Sequence, residues 1–164
     1  MTKLRSGFSM LVAIFVILML SLVASYIFYA SSSIAKEGSI QYQRDQAMIL
    51  ARSYTEYSVL AISGNNRKIQ CLNEINARVG NNPNQGRGYV VKVYITYIGN
   101  SKYINNGDKC NKIAAELANT DIDTLSVILD VYVKYKDIQN PNLYNGNANL
   151  VPWQVYHRRS IQKI

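Results

Sequence analysis

From Ser6 to Ala35 the chain has no charged residue at all. A surface helix bathed in water is excluded over that span. A helix needs roughly 20 apolar residues to cross the hydrocarbon core of a bilayer, and this run is longer. Proline is absent before Pro83, and Gly38 is the only glycine between Phe8 and Ile62. The two residues that most often break a helix are therefore missing or nearly so. Histidine is reduced to His157 and cysteine to Cys71 and Cys110. Two cysteines and one distant histidine are too few ligands for a structural zinc. His157 sits in a predicted strand beside Arg158 and Arg159, so no Ser-His-Asp arrangement can be argued from it. The glycines form no phosphate loop of the Gly-x-x-x-x-Gly-Lys type.

Acidic residues are also scarce: 10 Asp and Glu stand against 18 Lys and Arg. Lys3 and Arg5 precede the uncharged run, and a basic flank of this kind normally stays in the cytoplasm. The chain beyond Lys36 is then expected on the outer side of the membrane, as a basic, water-soluble domain. Such a surplus suits acidic partners, including nucleic acid and anionic lipid, although a plain soluble surface carries it too. Outside the cytoplasm an even pair of cysteines reads as a disulfide. Closing about 40 residues between Cys71 and Cys110 would stabilise the fold by roughly 4 kcal/mol on the chain-entropy account.

Beyond Lys36 the pattern changes from uniformly apolar to periodic. Ile40, Ala47, Leu50, Ala51, Tyr54, Ser58 and Ala61 recur at spacings that mark one helix face, with Arg44, Arg52 and Glu56 off it. The simplest organisation is one continuous helix over 8–62, its membrane part over about 8–30, closed by a left-handed Gly64. A globular domain over 63–164 follows, in which the period becomes two. Val91, Val93, Ile95 and Tyr97 alternate with Lys92, Tyr94, Thr96 and Ile98, and Val127, Leu129, Val131, Val133 and Tyr135 alternate with Ser126, Ile128, Asp130, Tyr132 and Lys134. Two further strands are predicted over 69–79 and 153–164, with a short helix near Lys112 to Ala118. The expected class is α+β: a long amino-terminal helix packed on a small antiparallel sheet of about four strands.

This order of parts, together with the opening "RSGFSMLVAIFVILML", resembles the type IV pilin family, including the pseudopilins of type II secretion. Lys3, Arg5, Gly7, Phe8 and Ser9 carry the resemblance, which covers the first 30 residues by motif and the remainder by architecture. It implies a leader over 1–7, removed by a prepilin peptidase between Gly7 and Phe8, and N-methylation of Phe8. It further implies a single-pass protein of the bacterial inner membrane, with its amino terminus cytoplasmic and its carboxy-terminal domain periplasmic. The implied partners are other pilin or pseudopilin subunits, the peptidase, an inner-membrane assembly platform and the bilayer. No enzymatic activity, cofactor or metal is implied. Val12 stands where typical members carry Glu, and Tyr29 stands near the family's helix-kinking proline. Since that Glu is thought to neutralise the amine of a neighbouring subunit, Val12 implies either a subunit at a fibre tip or a relative that never enters a fibre.

Two further patterns carry candidate chemistry. Asp121 and Asp123 in "NTDIDT" could contribute to a calcium site, but a turn or helix cap is the commoner use of such residues. Thirteen tyrosines, several interleaved with lysine as in "VKVYITY" and "YVKYKD", fit single-stranded nucleic-acid binding. They fit ordinary strands equally well. Two function classes result: a structural subunit of an envelope fibre, and a membrane-tethered binding module that is not assembled.

Overall fold

The computed structural model describes residues 5–66, 70–99, 110 and 126–164. The expected helix near Lys112 to Ala118 and the pair Asp121 and Asp123 lie outside them. Helix α1 runs from Arg5 to Gly64, followed by β1 (Glu74–Asn82), β2 (Arg87–Ile98), β3 (Ser126–Lys136), the short α2 (Pro141–Tyr144) and β4 (Trp153–Lys163). The four strands form one antiparallel sheet in the order β1-β2-β3-β4, each strand beside its neighbour in sequence. The chain divides into two compact units, Met1–Ser39 and Ile40–Ile164. The second half of α1 thus belongs with the sheet.

In the first unit the large apolar side chains from Met10 to Tyr29 are all exposed. Three serines of this unit return their hydroxyls to the helix. Ser21 donates to the Ile17 carbonyl at 2.9 Å, Ser25 to Ser21 at 2.8 Å and Ser32 to Tyr29 at 2.8 Å. Hydroxyls bonded back to the preceding turn need no water, so this helix is long and apolar enough to cross a membrane by length and composition.

The second unit has a conventional core. Val91, Val93, Ile95 and Tyr97 of β2 and Val127, Leu129, Val131 and Val133 of β3 are fully buried, as the period of two requires when one sheet face is covered. Burying each of the aliphatic side chains contributes about 1.5–3 kcal/mol. The covering helix face is Gln43, Ala47, Ala51, Thr55, Ser58 and Ile62, spaced three or four apart. Its side chains are mostly small, which lets the helix backbone approach the sheet. Thr55 and Ser58 return their hydroxyls to the carbonyls of Ala51 and Tyr54. Ile40, expected on this face, is instead 40% exposed, because the buried stripe begins one turn later.

Gln43 fixes the upper end of this packing. Its Nε2 donates to the Lys136 carbonyl at 3.2 Å, and its Oε1 accepts from the Ile138 amide at 3.4 Å. Tyr89 donates its hydroxyl to the Gln43 carbonyl at 3.3 Å. A buried polar side chain is tolerated only when bonded in this way.

Three boundaries differ from expectation. Gly64 does not adopt a left-handed conformation; it is the last helical residue. The Asn65 amide donates to Ile62, and Asn65 Nδ2 caps the Gln70 carbonyl at 2.7 Å, so a side chain replaces the backbone reversal. The first strand begins at Glu74 and continues to Asn82, where the sequence predicted 69–79. It runs through Gly80, whose φ of 93° and Cβ-free face allow it to lie against Gly88; a Cβ there would be 2.7 Å from the Arg87 carbonyl. The pairing register shifts at this point, between Val79 and Asn82, as at a β-bulge.

Candidate functional site

At the amino terminus, Gly7 and Phe8 lie inside the first turns of α1, which begins at Arg5 and not at Phe8. Val12 is 45% exposed and Tyr29 74% exposed, and the helix continues unbroken past both. Val12 and Tyr29 each face outward from a helix with no protein cover.

At the base of the sheet, Cys71 and Cys110 form a disulfide with their Cα atoms 5.3 Å apart. Cys71 is buried in the core cluster. It precedes β1 and does not lie within it, so the bond ties the approach to β1, not the strand itself, to the segment after β2. The approach is pinned a second time, by the Tyr97 hydroxyl donating to the Leu72 carbonyl at 2.8 Å.

The richest chemistry gathers on the sheet face opposite α1. Alternation places Asp130, Tyr132 and Lys134 of β3 on that face, and the antiparallel register sets Asp130 opposite Arg159 and Tyr132 opposite His157 of β4. On the other side Tyr94 pairs with Asp130 and Lys92 with Tyr132. Arg159 grips the Asp130 carboxylate with two bonds, Nε to Oδ1 at 2.7 Å and Nη2 to Oδ2 at 2.9 Å. His157 Nε2 lies 2.8 Å from the same Oδ1. The Arg159 bonds hold the Asp130 carboxyl below its ordinary range; burial opposes them, and His157 adds to the lowering.

The rings form a row across three strands. His157 stacks on Tyr132 with centroids 4.3 Å apart and planes within 12°, and Tyr94 meets Tyr132 edge-on at 5.8 Å. Tyr94 is 40% exposed. At the margin Lys136 lies 4.9 Å from the Trp153 ring centre and donates to the Ala148 carbonyl. Lys92 reaches Glu74 at 3.6 Å. His157 is thus a hydrogen-bond partner of Asp130 and a member of a ring stack. Among the described residues, no group of three or more His, Cys, Asp or Glu side chains is placed to hold a metal.

No protein-family model, curated protein or solved structure matches this chain.

The trio Asp130, His157 and Arg159 was invisible in sequence, where Asp130 lies 27 residues from His157 and 29 from Arg159. Period-two alternation assigns each to a face of its own strand. Only the register of β3 against β4 brings them together.

Proposed function

We propose that this chain is a pilin-type subunit, a minor pilin or pseudopilin that is built into an envelope fibre of a type IV pilus or type II secretion system. The observation that supports it best is that α1 is one unbroken helix from Arg5 to Gly64 serving two environments. Its first part offers only uncovered apolar side chains, and its last part forms the covering layer of a disulfide-tied antiparallel sheet. An anchor that merely tethered a domain would need no continuity with the domain's core.

On this reading a peptidase at the cytoplasmic membrane face cuts between Gly7 and Phe8, Phe8 becomes the methylated amino terminus, and the apolar helix stays with the mature protein. The partners are the neighbouring subunits, the peptidase and the inner-membrane assembly platform. Val12 then marks a tip or initiating subunit, which has no subunit ahead of it whose amine would need a carboxylate.

Mass spectrometry of the mature amino terminus is the decisive experiment. It should find a chain beginning at methylated Phe8, and Gly7→Leu should leave the precursor whole. An intact leader in protein recovered from the membrane would refute the assignment. The tip position is tested by Val12→Glu, which should give no gain of this protein in sheared fibres; an increase along the fibre length would make it a shaft subunit.

A further inference from the structure

We propose that the outer face of the sheet is a binding surface for single-stranded nucleic acid, whether or not the chain enters a fibre. The charge on this face is one-sided. Among the described residues Glu74 and Asp130 are its carboxylates, and both are already engaged, by Lys92 and by Arg159 with His157. Arg78, Lys134 and Lys163 share the face through the register, and no carboxylate among the described residues pairs with them. Three uncompensated cations spread over β1, β3 and β4 attract a polyanion.

The rings decide which polyanion. An acidic peptide or an anionic lipid headgroup would use the cations and leave the aromatic row without a role. Tyr94, Tyr132 and His157 stand in line across the strands. At 4.3 Å the stack of Tyr132 and His157 is closed to insertion, so its ends are the available platforms. His157 lies on the last strand, and among the described residues no ring covers its second face. Tyr94 offers an exposed ring at the other end. Unstacked bases are flat and aromatic and are joined by phosphates, which fits rings interleaved with cations. In a duplex the base faces are occupied by each other, so a single strand is the matching form.

The Asp130–Arg159–His157 trio gives this surface its order. Two charge-assisted bonds fix Arg159, and the shared carboxylate holds the His157 ring against Tyr132. A preset platform loses less freedom on binding than a mobile one.

The test uses the full chain in nanodiscs of zwitterionic lipid, with fluorescence anisotropy of a labelled oligothymidylate of about 15 nucleotides. The single strand should bind more tightly than a duplex of equal length, and binding should weaken as salt rises. Tyr94→Ala and His157→Ala should each weaken it by about 5-fold or more, whereas Tyr94→Phe should retain it. Lys134→Glu combined with Lys163→Glu, a change at the sheet margin, should weaken binding and flatten the salt dependence. The proposal is overturned by absence of oligonucleotide binding, or by equal binding of duplex with no effect of the ring variants. It is also overturned if anionic vesicles or an acidic peptide bind in place of the oligonucleotide.

Discussion

The two parts of helix α1 share one backbone conformation and obey opposite sequence rules. Up to Ala35 the apolar side chains point in every direction, and none of the large ones from Met10 to Tyr29 is covered. From Gln43 to Ile62 a narrow stripe is buried, and the remainder is polar or half-buried apart from the exposed Ile49, Tyr57 and Leu60. The inward side chains also differ in kind. The covered stripe consists mainly of Ala, Thr and Ser, while the uncovered part is rich in Leu, Ile, Val and Phe. Bulk is thus greatest where no protein packs against the helix and least where a sheet does. A helix facing lipid needs apolar area on all sides, whereas a helix lying on a sheet needs close approach. The same α-helical backbone meets both needs because only the side chains change.

Four tests probe that contrast, in falling order of expected effect. Cys71→Ser should lower the stability of the second unit by about 4 kcal/mol, the loop-closure value for roughly 40 residues. Denaturant unfolding of the full chain in detergent, followed by tyrosine near-ultraviolet dichroism, would show it, and the membrane association of the first part should not change. Ile17→Asp reverses the roles. An acidic group at a helix centre in lipid costs about 2.5–3.5 kcal/mol, so membrane insertion should fall while the unfolding midpoint of the sheet stays in place. Equal membrane recovery of this variant and the wild type would show that the first part is not a spanning segment.

The third test places one substitution in both parts. Ala51 is fully buried under the sheet, and Ala51→Leu should destabilise the second unit by about 1–3 kcal/mol through overpacking. Ala13→Leu, at an exposed position of the first part, should leave that stability unchanged. Similar effects at the two sites would erase the distinction between them. The smallest effect concerns Asp130, on the sheet face away from the helix. Its folded carboxyl is held below the ordinary value, chiefly by Arg159. The stability it contributes is fully present above the ordinary aspartate value, about 4, and is lost as pH falls through the lowered one. Unfolding midpoints taken between neutral and strongly acid pH should therefore drop more for the wild type than for Asp130→Asn.

Much of this architecture was legible in the residues. The long helix followed from an absence of breakers, and the strands β2, β3 and β4 followed from alternation to within one or two residues at each end. What escaped depended on partners distant in the chain. Gln43, which is not among the residues of the expected helix face, is buried, because the Lys136 carbonyl and the Ile138 amide meet its side chain. Gly80 looked like part of a loop, yet the strand passes through it because Gly88 lies close alongside. The start of β1 was placed five residues early; the apolar Cys71 and Leu72 pack in or against the core ahead of the strand, which begins at Glu74. Alternation separated the two faces of β2 and β3, while the faces of β1 and β4, the row of rings and the grip on Asp130 needed the register between strands.

The placement of the disulfide also has a mechanical consequence. Cys71 and Cys110 are separated by 39 residues, and the enclosed segment contains all of β1 and β2. A pull applied between the helix and the carboxy terminus therefore bypasses that hairpin through a covalent bond and is borne by the pairing of β3 with its neighbours. If those contacts yield, the oxidised chain lengthens by less than the reduced one. At about 3.5 Å per extended residue, the difference is on the order of 130 Å. The bond thus sets how far the domain can be drawn out under tension before the chain is taut.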